Sequence, residues 1–301
     1  MDSARIRRMH ALDLPSAEQA SNITFLEGDR RSRRVSDPEP EPRTPAESAL
    51  WIERMGHFLA TDPEGCWVAV EDASDDNDTE RVIGFALSQN RGPLWLLITY
   101  GVLPGRQGKG IGSRLMDAVL AHAGGRRGMF ISTVHPGATR RYWQAGFTLQ
   151  PLMGLTGTVD RSTLPAITGL RDGTPDDIEW MDRLDTELRG AGHGGPDHLH
   201  MQRTMRLTVA ENPRTPGYVY TENGRPNLLA AHHPDTASTL LWEALAQAPA
   251  SPVNVPSSIT AANQWALDVG LTARLDLYQD GYLALRGLDA PAPYIPSGRF
   301  L

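Results

Sequence analysis

An α/β fold in two successive units is predicted by three observations on the 301-residue chain. Short apolar runs of strand length alternate with amphipathic runs of helical period along most of its length. A glycine-rich turn joins one such strand, residues 94–102, to the helix that follows. The same order of elements begins again near Leu170, and the length suffices for two hydrophobic cores.

Arg5 to Met9 alternate as a first strand, and Asp13 or Ser16 caps a helix ending near Leu26. Residues 29–45, from Arg30-Arg31-Ser32-Arg33-Arg34 to Pro45, are too charged and proline-rich to bury a core and predict a mobile loop, with a lid over an acceptor as the functional alternative. A helix over 46–59 carries Leu50, Ile52, Met55 and Leu59, and 66–70 and 82–87 form hairpin strands around an acidic turn at 71–80. Next come the strand 94–102, a helix over 112–123, a strand over 128–134, a helix over 136–145 and a strand over 147–155. These assign a first domain to 1–155, a linker to 156–168 and a second domain to 169–301. In the latter, Thr174-Pro175-Asp176-Asp177 starts a helix running to Leu188, and 218–221 and 227–231 read as strands. Residues 239–245 then parallel 114–120, and 262–270 parallel 138–146.

With 29 basic and 36 acidic residues the net charge is −7, which argues against a nucleic-acid partner and suits a cationic small molecule. The single cysteine, Cys66, rules out an intramolecular disulfide and reads as core beside Trp67-Val68-Ala69-Val70. No stretch approaches the roughly 20 apolar residues of a membrane span and the N-terminus leads into no apolar segment, so no membrane partner and a cytoplasmic location are expected. Tryptophans 51, 67, 95, 143, 180, 242 and 265 mostly fall on apolar faces and read as core.

The turn itself runs Val102-Leu103-Pro104-Gly105-Arg106-Gln107-Gly108-Lys109-Gly110-Ile111-Gly112-Ser113. Glycines let the backbone approach a ligand, and the first amides of the following helix lack internal partners, so the segment suits a phosphate. A dinucleotide fingerprint would need glycine where Ser113 stands, and a Walker loop would need Ser or Thr where Gly110 stands. The pattern that does fit is Gln/Arg-x-x-Gly-x-Gly, as Gln107-Gly108-Lys109-Gly110-Ile111-Gly112. Further on, His135-Pro136-Gly137-Ala138, Tyr142 and Gly146-Phe147 fall in register with Asn-x-x-Ala-x-x-x-Tyr-x-x-x-Gly-Phe, with His135 in place of Asn.

Together the two motifs resemble those of the GCN5-related N-acetyltransferase (GNAT) superfamily. The resemblance implies a central mixed sheet with splayed strands flanked by helices, and acetyl-coenzyme A as co-substrate. It assigns coenzyme contacts to Val102, Leu103, Arg106, Gln107, Gly108, Lys109, Gly110, Ile111, Gly112, Ser113, His135 and Ala138, and the general acid to Tyr142. The splayed strand would leave the Val102 amide for pantetheine and the acetyl oxygen. Several relatives carry a Glu eleven residues before the Gln of the loop, where this chain has Leu96. Glu27, His135, a carboxylate of the second domain acting through water, or the C-terminal carboxylate of Leu301 could serve as base instead. Glu27 is also the candidate for substrate binding.

Between Ala230 and Leu245 there is no glycine, and Ala266 falls where Tyr142 sits in the first unit, so the second half reads as a degenerate GNAT-like domain shaping the acceptor pocket or a homodimer. The function expected is acetylation of a primary amine on a small cationic molecule. The layout is similar to enzymes that inactivate antibiotics of the bleomycin or aminoglycoside type. A transferase using aminoacyl-tRNA or another acyl donor, and a non-catalytic acyl-coenzyme A sensor, are the alternatives. The segments His193 to His200 and His232-His233-Pro234-Asp235 can each be sketched as zinc sites, but their glycines and prolines predict loops and no metal is expected.

Overall fold

The computed structural model describes residues 4–33, 39–71 and 80–301. The chain divides into two compact units, Met1–Asn90 with Trp95–Arg126, and Arg91–Leu94 with Arg127–Leu301.

In the first unit the elements are β1 (Arg5–Arg8), α1 (Leu14–Ser32), α2 (Pro45–Thr61), β2 (Cys66–Glu71), β3 (Arg81–Arg91), β4 (Leu94–Val102) and α3 (Ile111–Ala123). The strands lie in the order β1-β2-β3-β4, with β2 antiparallel to β1 and β3. Val82 to Gln89 are buried without alternation, because both faces of β3 are covered; the sequence there reads as an apolar run over Val82 to Leu87, followed by the buried polar residues Ser88 and Gln89. Helix α1 extends past its expected end near Leu26. Glu27 and Arg31 pair at 3.0 Å one turn apart, and Arg30 and Arg31 lie in the last turn, where cations favour the helix dipole. Arg30 and Arg31, which suggested a loop, are thus helical. Positions 34–38 of that expected loop, and 72–79 of the acidic turn, lie outside the described residues. Helix α2 opens in a capping box between Thr44 and Glu47 and is fixed to α1 through buried Glu18, which accepts from Ser48 (2.9 Å) and Arg43 (3.3 Å). His122, in the last turn of α3, contacts Ser88 Oγ (3.0 Å), Asp62 Oδ1 (3.1 Å) and the amide of Asn90 (3.0 Å), which seats α3 on β3.

The second unit contains β5 (Arg127–Ser132), α4 (Pro136–Gln144), β6 (Thr148–Gly157), β7 (Leu170–Asp172), α5 (Ile178–Arg189), α6 (Gly195–Met201), β8 (Arg206–Ala210), β9 (Gly217–Glu222), β10 (Arg225–Ala231), α7 (Pro234–Ala246), β11 (Val253–Ile259), α8 (Gln264–Thr272), β12 (Asp276–Arg286) and β13 (Tyr294–Ile295). One run of strands is β5-β12-β6-β11 and a separate sheet is β13-β10-β9-β8-β7. Strand β12, absent from the sequence reading, is antiparallel to both neighbours: Leu283 faces Ile131 on β5 and Gln150 on β6. This insertion ties residues 127–157 to the C-terminal half, so the compact units divide at Arg126/Arg127 while the sequence pattern restarts near Leu170. Leu240 and Leu241 of α7, Val255 and Ile259 of β11 and Trp265 of α8 close a core with Leu155, Val219 and Leu229. Trp143 departs from the core reading; it is 68 % exposed on α4. Among the described residues no helix is long and apolar enough to cross a membrane.

Candidate functional site

The glycine-rich turn of the first unit is built by its own side chains. Past β4, the Leu103 amide donates to Ile83 O (2.9 Å), Arg106 N closes on Leu103 O (3.0 Å), and Gln107 Nε2 donates to the Val102 carbonyl (3.0 Å). Gly108 and Gly110 have φ of 80° and 78°, and a Cβ on either would meet no atom within 4 Å. Glycine is required there by the left-handed backbone and not by crowding, and the space above the turn is open. Gly110 is the N-cap of α3; no side chain caps the helix and its first turn holds no acid. Its orphan amides and the positive end of its dipole therefore face an exposed turn, the environment an anion needs, where a charge gains about 0.3–1 kcal/mol from the dipole. Lys109 is exposed beside it, while buried Ile111 anchors the helix and Gly112 and Ser113 are half-buried. Arg106 is engaged with Glu71 at 2.6 Å.

In the second unit, His135 is the N-cap of α4, its Nδ1 accepting from the Ala138 amide at 3.3 Å. A ring nitrogen that accepts there is unprotonated, so in the neutral ring the hydrogen sits on Nε2, which is left as a donor. Histidine thus takes over the capping that an asparagine at this position would give. Tyr142 on α4 is 4 % exposed and stands edge-on to Phe130, with centroids 4.6 Å apart. Gly146, at φ 83°, turns the chain so that Phe147 also packs on Phe130 (4.9 Å). A residue the sequence reading missed, Tyr282 of β12, lies with its ring 6.4 Å from that of Tyr142 and its hydroxyl 2.8 Å from Thr139 Oγ1 on α4. The apolar run Tyr282-Leu283-Ala284-Leu285 was the available signal, interrupted by Asp280-Gly281 just before it.

The other candidates are placed as follows. Glu27 lies on α1, ion-paired to Arg31, and Leu96 is buried in β4 at 1 % exposure. Leu301 is buried and its carbonyl oxygen accepts from Arg189. Burial, and then Asp62, push the Cys66 thiol up to about 12, so it stays protonated and unreactive at neutral pH.

Among the described residues the second half has no counterpart of the open turn. Helix α7 begins at His233, whose ring accepts from the Asp235 amide (3.3 Å), followed by Pro234 and with Asp235 in the first turn. The segment expected to loop through His193 to His200 instead forms helix α6 from Gly195, with Pro196 in its first turn and Gly194 at φ 88° turning the chain into it. It buries His193 and His198 against Asp185, whose carboxylate lies 2.7 Å from His193 Nδ1 and accepts from Tyr218 Oη (2.7 Å).

Residues 29–147 match the family model described as Acetyltransferase (GNAT) family. Over whole chains the fold is similar to that of a candidate acetyltransferase from Pyrococcus horikoshii, with TM-score 0.73 and 15 % identity over 100 % of this chain and 97 % of that one. It is also similar to a GCN5-related N-acetyltransferase from Sphaerobacter thermophilus, with TM-score 0.57 and 15 % identity over 96 % and 98 %. A tandem GNAT protein from the clavulanic acid biosynthesis pathway gives TM-score 0.54 and 16 % identity over 95 % and 100 %. A sequence search of curated proteins gives no match. The N-terminal part has the GNAT fold, and a second α/β sheet follows it.

Proposed function

We propose that the chain is an acetyl-coenzyme A dependent N-acetyltransferase acting on an amine of a small cationic molecule, with one active centre carried by the N-terminal motifs. The observation that carries the reading is the turn before α3, with its left-handed Gly108 and Gly110, an uncapped helix start and no acid in the first turn. Those features fit a pyrophosphate, whose oxygens would take the backbone amides of residues 108–113. The coenzyme supplies an activated acetyl thioester, so the chain has only to position an amine beside it and to manage charge and protons.

Tyr142 is the group we assign to protonating the leaving sulfur, a role a phenol of pKa about 10 can fill beside a thiolate. His135, with its cap fixing the ring, offers an Nε2–H donor to the coenzyme's amide arm in place of the family's asparagine. With Leu96 at the position of the usual Glu, we assign no carboxylate base on β4 and infer that the acceptor reacts through its neutral amine fraction or through a water-relayed base. The net charge of −7 favours a cationic acceptor, and amine antibiotics, bleomycin and aminoglycosides among them, are the first class to test.

The test is incubation of the purified chain with acetyl-coenzyme A and a panel of amine antibiotics and polyamines, following thiol release and product mass. A gain of one acetyl group on one acceptor supports the reading. Tight coenzyme binding with no acetylated product from any amine would replace it with the non-catalytic sensor.

A further inference from the structure

We propose that the second unit holds a divalent transition-metal site, of zinc type, formed by Asp185 on α5, His193 on the connection to α6 and His198 on α6, with Asp182 as a fourth ligand. One ligand atom from each of the first three residues lies within 4.8 Å of the other two. All three are buried, at 0 %, 1 % and 0 % exposure.

The independent observation is that His193 Nε2 and His198 Nε2, both buried, have no hydrogen-bond partner among the described residues. His198 Nε2 lies 3.2 Å from Asp182 Oδ1 and 3.8 Å from Asp185 Oδ2. Buried polar atoms are ordinarily satisfied, and the two Nε2 atoms, on rings that both contact the Asp185 carboxylate, His193 through Nδ1 at 2.7 Å, need an explanation. Zinc bonds of about 2.0–2.1 Å to nitrogen and oxygen put neighbouring tetrahedral donors about 3.3 Å apart, close to the spacings around His198.

The remaining atoms of the cluster orient the ligands as metal sites require. His198 Nδ1 is held by the Tyr220 hydroxyl (3.1 Å), Asp185 by Tyr218, and Asp182 Oδ1 by the Gly194 amide (2.9 Å). Asp182 and Asp185, three apart, share a face of α5, and Gly194 folds the two histidines back over it. Two imidazoles with carboxylate oxygens and no thiolate suit zinc among the common divalent ions, with cobalt as a faithful spectroscopic substitute.

The experiment is to unfold the full chain in chelator, refold it with zinc or cobalt, remove free metal and measure metal content and visible absorption. One equivalent of zinc, with intense d–d absorption of tetrahedral cobalt, is expected, together with a higher Tm for the zinc-loaded chain than for the chelated one. His198→Gln should lose the equivalent and the cobalt bands, while His200→Ala, whose ring packs on Phe300 outside the cluster, should keep both. Wild-type chain that refolds without binding either metal would overturn the proposal even if the variants do not fold, and so would a folded His198→Gln that retains a full equivalent with unchanged cobalt bands. Neither readout depends on acetyl transfer.

Discussion

The starts of α3 and α7 share a place in the repeated sequence pattern and differ in chemistry. At α3, Gly110 caps in a left-handed conformation, no side chain covers the first amides and no acid competes for them. At α7, His233 accepts the Asp235 amide, Pro234 has no amide to offer and Asp235 brings a negative charge to the same end of the helix. The one is open to an anion and the other is satisfied from within. The pair teaches that a helix start becomes an anion site by what the chain leaves uncapped as much as by the glycines it adds.

The strongest way to break that contrast is Gly110→Asp, which puts an acid and a Cβ where φ is 78°. We expect coenzyme affinity to fall about 100-fold, roughly 2.7 kcal/mol, by calorimetry; unchanged affinity would remove the turn from the site. A second helix start without glycine, that of α5, sharpens it. Asp177 there accepts from Arg171 (2.5 Å), Trp180 Nε1 (2.9 Å) and the Thr174 amide (2.8 Å), and Asp177→Ala should cost about 2 kcal/mol in denaturant unfolding with coenzyme binding intact.

The same carboxyl gives a pH signature. The Arg171 hydrogen bonds, foremost, hold Asp177 below its ordinary 3.8, so its contribution is present above about pH 4 and is lost as pH falls through the lower folded value. Acid unfolding of Asp177→Asn should accordingly show a shallower loss of stability than wild type below pH 4; parallel curves would refute it. Tyr142→Phe should lower turnover about tenfold, near 1.4 kcal/mol, with coenzyme binding unchanged, and unaltered turnover would sink its assignment as acid. The smallest effect is that of His233→Ala, about 1 kcal/mol of stability from the lost cap and none on coenzyme affinity.

Much of the first unit, and α4 of the second, was legible because the signals there are local. Leu94 to Val102, the positive-φ glycines and the start of α3 follow from a strand, a turn and a helix in succession, and the α4 motif from fixed spacing along one helix. What failed was long-range or masked by composition. Arg30 and Arg31 read as loop until the Glu27–Arg31 pair is seen to extend α1. Gly194, Gly195 and Pro196 read as loop although they cap and start α6, and nothing in sequence spacing brings His193 to Asp185 on another element. Strand β12 was hidden by Asp280-Gly281, where the register shifts between Gln279 and Tyr282 and Gly281 takes φ 65°.

That inserted strand bears on how the polypeptide is made. β5 and β6 are complete by Gly157, but their common neighbour β12 ends only at Arg286. During synthesis both would wait with unpaired edges, exposed to intermolecular pairing, until β12 has been made. Pairings between Ile131 and Leu283 span a large part of the sequence, and such contacts slow folding. A fragment cut after residue 155 would strand both edges, so a chain to be expressed has to reach through β12.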